Sequence, residues 1–159
     1  ALNLSSLVFM MALMFIGASS GSTGGGIKVT TFAIIILAFW TVVTNRNDVN
    51  IFKRRISWEL VNKSLSIVVA GMFFIFLIFF LLTFTENADM SKLLFETISA
   101  FGTVGLSANF SPELSPIGRV FITIMMFIGR LGPLTMGFAL LSTRKEAKVR
   151  YAEEKILIG

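Results

Sequence analysis

Neither cysteine nor histidine occurs among the 159 residues. That removes thiol catalysis, thiolate metal sites and imidazole acid–base chemistry from what the chain can do. The missing cysteine does not by itself place the compartment. Charge is the next shortage: only 14% of the residues are Asp, Glu, Lys or Arg, whereas soluble domains carry about 25%. A soluble core of this size would lack the polar residues to cover it. In their place stand 55% hydrophobic residues, seventeen of them Phe, and a mean hydropathy of +0.83, a composition that suits a bilayer. The formal charge of +5 arises from basic clusters between and after the apolar runs, which indicates membrane orientation and contact with anionic lipid headgroups, not nucleic acid. Glu96 and Glu113 are not evidently paired and no nucleophile–base pair stands out, so the chain reads as no enzyme. It starts at Ala1 inside an apolar run with no signal-peptide pattern, and is expected to be the C-terminal part of a longer protein.

Residues 1–44 hold a single charge, Lys28, and as one helix would run to about 66 Å, twice a bilayer of roughly 30 Å. The interruption is Gly17-Ala18-Ser19-Ser20-Gly21-Ser22-Thr23-Gly24-Gly25-Gly26, too rich in glycine and back-bonding hydroxyls for a helix interior. A flexible linker between two helices would have such a composition. The preceding apolar stretch, Leu7–Ile16, is nevertheless too short to span alone, which favours one broken helix with a loop inside the membrane. A phosphate-binding loop is disfavoured because Ile27 separates Gly26 from Lys28 and no predicted strand precedes it. Residues 45–63 carry Arg46, Lys53, Arg54, Arg55 and Lys63 and read as a basic cytoplasmic loop, with an amphipathic helix expected near Asn50–Leu60. Ser64–Thr85 has no charge and is long enough for a complete span. The acidic stretch with Glu86, Asp89, Glu96 and Glu113 then suits the exterior face. A last span is expected from Pro116 to Ser142, followed by a basic cytoplasmic tail at 143–159.

Between the two spans, Ser91 to about Phe101 predicts a helix of about eleven residues, N-capped by Ser91 and some 16 Å long, half the membrane thickness. An element that stops halfway must turn back, and irregular backbone at that depth must be buried in protein or face water. Thr103-Val104-Gly105-Leu106 follows, and its glycine permits φ > 0, so that successive carbonyls can point the same way and replace an ion's hydration shell. Further on, both Ser111-Pro112 and Ser115-Pro116 offer a serine N-cap with proline at the first helical position.

Leu7–Gly17 aligns with Arg119–Gly129 at an offset of 112 residues, matching Val8, Phe9, Met14, Phe15, Ile16 and Gly17 to Val120, Phe121, Met126, Phe127, Ile128 and Gly129. The alignment predicts an internal repeat whose first filter partner lies upstream of Ala1. It also sets Arg130 opposite Ala18. An arginine at mid-depth costs at least about 2.5–3.5 kcal/mol, so Arg130 is expected to face a water-filled path or carbonyl partners, the glycine loop foremost. A helix–helix clamp without a transport role is the other reading.

Phe101-Gly102-Thr103-Val104-Gly105-Leu106-Ser107 resembles the filter of the Trk/Ktr/HKT superfamily of cation transporters, residues 18–28 look like the intramembrane loop of its third repeat, and Gly129-Arg130-Leu131-Gly132-Pro133 is similar to its fourth-repeat arginine segment. The resemblance implies an all-α integral membrane fold of helix–pore loop–helix repeats with a broken helix: residues 1–44 from the third repeat and 64–142 as the fourth. It implies K⁺ bound by the backbone carbonyls of Thr103, Val104 and Gly105, a gate loop at 17–26 and a pore arginine at Arg130. The tail resembles that of the bacterial Ktr membrane subunit. That likeness implies a multi-pass protein of the bacterial inner membrane that forms a homodimer on a cytosolic RCK ring. Any nucleotide would sit on that ring, with no covalent cofactor on this chain. Leu106 and Ser107 stand where potassium channels have Tyr and Gly, which leaves K⁺ against Na⁺ open. A non-conducting membrane anchor or scaffold, with Gly102 and Gly105 as packing glycines, is the alternative function.

Overall fold

A computed structural model of the chain describes residues 3–19, 21–46, 48–51 and 54–132. These residues form five α-helices: α1 (Leu4–Phe15), α2 (Val29–Val43), α3 (Trp58–Thr85), α4 (Met90–Gly102) and α5 (Pro116–Leu131). A hairpin of β1 (Val49–Ile51) and β2 (Arg54–Ile56) joins α2 to α3, and a single 3-10 turn at Ser111–Glu113 precedes α5. The expected end of the last span near Ser142 and the basic tail lie outside the described residues.

Helix α3 has 28 residues, about 42 Å at 1.5 Å per residue. Among the described residues it is the one helix long and apolar enough to cross a membrane; α1 and α2 are apolar but shorter. It begins at Trp58 and not at the expected Ser64, because Ser57 caps it by accepting from the Leu60 N–H and Glu59 complements the dipole of the first turn. Its exposed stripe of Val69, Met72, Phe73, Phe76, Phe80 and Phe84 suits lipid, while Gly71, Ile75, Ile78 and Leu82 face the protein.

The helix expected near Asn50–Leu60 is replaced by the hairpin, with Val49 opposite Ile56 and Asn50 opposite Arg55. The reason lies in the period. Val49 and Ile51 are β-branched on either side of the exposed Asn50, and β-branched Ile56 stands opposite Val49, which suits a pair of strands. Val49 is buried with Ala38 of α2 and Val61 of α3, so the hairpin ties those helix ends together. Its Arg55–Asp48 pair, at 2.9 Å and exposed, adds little stability.

Helix α4 starts at Met90 after Asp89, without the cap expected from Ser91. It packs against α1, α3 and α5, and Phe101 at its end is fully buried. The Phe101 ring stacks on Phe15 of α1 with centroids 6.0 Å apart and lies 3.0 Å from the position of a Cβ on Gly71 of α3. Backbone meets backbone there too: a Cβ on Gly129 of α5 would come within 2.0 Å of the Phe101 carbonyl oxygen, and one on Gly102 within 2.5 Å of the Met14 carbonyl oxygen of α1.

A methyl group at Gly129 therefore meets backbone that cannot yield, whereas one at Gly118 meets side-chain ends, the Glu86 carboxylate and Leu114 Cδ2, which can shift at the cost of loosening the Glu86–Ser115 bonds. Gly129→Ala is expected to cost about 1–3 kcal/mol or more and Gly118→Ala clearly less. Thermal unfolding of the detergent-purified transporter, read side by side for the two variants, checks the order.

Candidate cation site at the end of helix α4

Helix α4 ends in a Schellman arrangement, in which the Val104 N–H donates to the Ser99 carbonyl (3.0 Å) and the Thr103 N–H to the Ala100 carbonyl (3.1 Å). The left-handed position of this motif normally holds glycine. Here it is Thr103, at φ 52° and ψ 36°, where a β-branched residue costs about 1–2 kcal/mol. Its hydroxyl oxygen accepts a 2.7 Å hydrogen bond from the Gly25 N–H. The first residue of the expected filter thus touches the glycine loop.

Val104–Ser107 continue without regular structure. Gly105 sits at φ +80° with open space around its Cβ position, so it is required by conformation and not by crowding. The Leu106 carbonyl accepts a 2.5 Å bond from the Ser99 hydroxyl. No hydrogen bond to the carbonyls of Thr103, Val104 or Gly105 is present among the described residues. These acceptors follow the C-terminal end of α4, where the helix dipole favours positive charge. Val104 and Leu106 are 45% and 44% exposed.

The glycine loop is drawn shut at its neck. Ile16 and Ile27 form a parallel bridge, with the Gly17 N–H donating to the Ile27 carbonyl (2.7 Å) and the Ile27 N–H to the Phe15 carbonyl (3.3 Å). The Cβ position of Gly26 (φ +76°) lies 3.3 Å from Gly17 Cα and 3.4 Å from Gly102 Cα, so the neck rests on the end of α4. Ala18, Ser19, Gly21, Ser22, Thr23 and Gly24 extend from it, and Ser20 is outside the described residues. The Lys28 ammonium donates to the carbonyls of Gly24 (2.6 Å) and Ser22 (3.2 Å). Sequence reasoning missed this clamp, although Lys28 was visible as the single charge in the first 44 residues.

Arg130, on the last turn of α5, lines a cavity of about 420 Å³ together with Thr103, Gly105, Thr123, Met126 and Phe127. The structure brings it to the expected filter. No hydrogen bond joins it to the loop carbonyls among the described residues; Lys28 holds two of them. Glu96, which the sequence placed only among exterior acids, is 5% exposed and accepts from the hydroxyls of Ser107 and Ser111. Its signal was a carboxylate flanked by Phe95 and Thr97 in the stretch that leads to the apolar end of α4. Ser111 spends its hydroxyl on Glu96 and caps no helix, whereas Ser115 caps α5 as expected by accepting from the Gly118 N–H (3.0 Å).

Residues 1–146 match the sequence profile of the TrkH family, described as cation transport proteins. The chain belongs to the TrkH family. It is 45% identical over 153 residues to Ktr system potassium uptake protein B of Vibrio alginolyticus and 42% identical over 153 residues to the protein of that name from Bacillus subtilis. It is 35% identical over 159 residues to the potassium/sodium uptake protein NtpJ of Enterococcus hirae. Each alignment covers 96% of this chain but only 33%, 34% and 35% of the respective relative, so the chain spans about a third of their length. TrkH proteins are membrane proteins, in agreement with the apolar α3.

The Gly25–Thr103 bond can be tested by labelling, since these 159 residues contain no competing thiol. A neutral hydrogen bond is worth about 1 kcal/mol, or roughly a fivefold change in population. Thr103→Val is expected to raise the rate at which a hydrophilic maleimide modifies Thr23→Cys on the exposed part of the loop by about that factor, while Thr103→Ser leaves it unchanged.

Proposed function

We propose that this chain supplies part of a gated, channel-like pore for K⁺ uptake, driven by the electrochemical gradient across the bacterial cell membrane. The carbonyls of Thr103, Val104 and Gly105 form its share of the filter. The observation that carries this reading is the row of carbonyls beyond α4 that meets no donor among the described residues, at the favourable end of the helix dipole and shaped by the positive φ of Gly105. The relatives' names, potassium uptake protein B and potassium/sodium uptake protein, support the ion class and leave Na⁺ as the second candidate.

In this proposal α1 and α5 are equivalent inner helices of two successive repeats. In support, their first residues Leu4 and Pro116 are 112 positions apart, the offset of the sequence repeat, and both pack on α4. Arg130 and the 17–26 loop obstruct the path on the inner side of the filter. Support comes from the shared cavity of Arg130, Thr103 and Gly105 and from the Gly25–Thr103 bond. The remaining repeats come from the rest of the transporter, which spans the membrane several times with a cytoplasmic C-terminus, forms a homodimer in lipid and rests on a cytosolic RCK ring that binds the nucleotide.

Gly105→Ser in the whole transporter, at matched membrane expression, is expected to lower the K⁺ over Na⁺ preference in uptake assays by about tenfold, the equivalent of a 1–2 kcal/mol backbone penalty at the ion site. Unchanged preference would place the segment in a non-conducting scaffold. Arg130→Ala is expected to raise the maximal rate of K⁺ uptake several-fold, and an unchanged flux would remove Arg130 from the gate.

A further inference from the structure

A carboxyl group buried in an apolar helix contributes nothing to the core and is expensive unless its oxygens are satisfied. Glu96 is such a group. One of its oxygens accepts from the Ser107 hydroxyl and the other from the Ser111 hydroxyl, at 2.8 Å. The Ser107 oxygen in turn accepts the N–H groups of Phe110 and Ser111, both at 3.3 Å. The turn at 107–111 is thereby closed around one carboxyl group. Three positions further along α4, on the same face, the Ser99 hydroxyl holds the Leu106 carbonyl. Thr103, at the other end of the segment, is fixed by the Schellman bonds and by Gly25. Only Val104 and Gly105 lie between two anchored ends, so the anchors on α4 set the spacing of the carbonyls between them.

We propose that Glu96 is a specificity-determining positioning residue: by accepting from Ser107 and Ser111 it fixes the outer limb of the filter, and so the spacing that favours K⁺ over Na⁺. It does not touch the ion. A carboxylate suits the place because both its oxygens accept and neither must donate, which two converging hydroxyls require. The inference rests on the filter reading given above.

The test compares Glu96→Ala, Glu96→Gln, the double variant Ser107→Ala/Ser111→Ala and Gly105→Ser in the whole transporter, at matched membrane expression. K⁺ and Na⁺ uptake are read as KM and maximal rate for each ion. Glu96→Ala and the double serine variant are expected to lower the K⁺ over Na⁺ preference about tenfold, the scale of losing one to two hydrogen bonds. Glu96→Gln keeps the shape and one acceptor, and its amide N–H can donate to the Ser111 hydroxyl, which can rotate to accept, so this variant is expected to lose less than about fivefold, clearly less than the alanine variant. Should Glu96→Ala not reach the membrane, the double serine variant decides, because it removes the same contacts while leaving α4 intact. Wild-type preference in the alanine variants alongside an altered Gly105→Ser overturns the role of Glu96 and leaves the filter standing. An unaltered Gly105→Ser overturns the filter and this proposal with it. A Gln variant as impaired as the Ala variant overturns positioning in favour of a through-space charge effect.

Discussion

The structure depends on how the last turn of α4 is seated, and Phe101 is where that seating is decided. Its ring is enclosed by Phe15, Ile27 and Gly71, from α1, the loop exit and α3. Its carbonyl lies against Gly129 of α5 and Gly25 of the loop. One residue thus contacts all three neighbouring helices and the loop, with an apolar ring on one side and a bare backbone on the other. The division has a physical reason. In lipid no hydrophobic force drives helices together, so close approach of backbones at small residues must supply the packing. Gly102 against Met14 and Gly129 against Phe101 are two such approaches, one on α1 and one on α5.

The same economy explains how an irregular loop persists beside these helices. Nine residues between Gly17 and Ile27 would expose many backbone groups, and in a bilayer each unmatched group is costly. The neck bonds of Gly17 and Ile27 satisfy some, Lys28 covers the carbonyls of Ser22 and Gly24, and Thr103 takes the Gly25 N–H. The loop is therefore held by contacts that can be exchanged singly, unlike the ring packing of Phe101. Of the fixed charges near it, Lys28 binds the loop and Arg130 faces the cavity, so the two cations divide between them the tasks the sequence had assigned to Arg130 alone.

Much of this was legible because it rests on composition and period. The uncharged run at 64–85 foretold the spanning part of α3, and the glycine cluster foretold the break between α1 and α2. Thr103-Val104-Gly105 announced a positive φ at Gly105, which the structure has. What escaped were contacts between positions distant in sequence. Glu96 finds Ser107 and Ser111 only after the chain reverses, and Gly25 meets Thr103 across 78 residues. The hairpin at 49–56 escaped for a different reason: its strands have three residues each, too few for a period of two to prevail over the helical pattern anticipated from the flanking residues. The Thr103 backbone escaped because local preference favours glycine there, and only the tertiary bond from Gly25 accounts for a threonine.

The exposure of Val104 and Leu106 completes the reasoning about the site. At 45% and 44% these apolar side chains stand open beside three carbonyls that meet no donor among the described residues, and three are too few to replace an ion's hydration shell, which in potassium channels takes rings of four loops. Both deficits fall on the same stretch. A chain that covers about a third of its relatives' length has the remainder of those relatives available to close that face. Further segments of the same kind would bury the side chains and complete the ring in one step. The left-handed Thr103 backbone at one end and the Ser99–Leu106 bond at the other hold this carbonyl row to α4. In the proposed filter, discrimination would rest on the rigidity of its supports, Glu96 and Ser99, polar residues of α4 that are buried beside it.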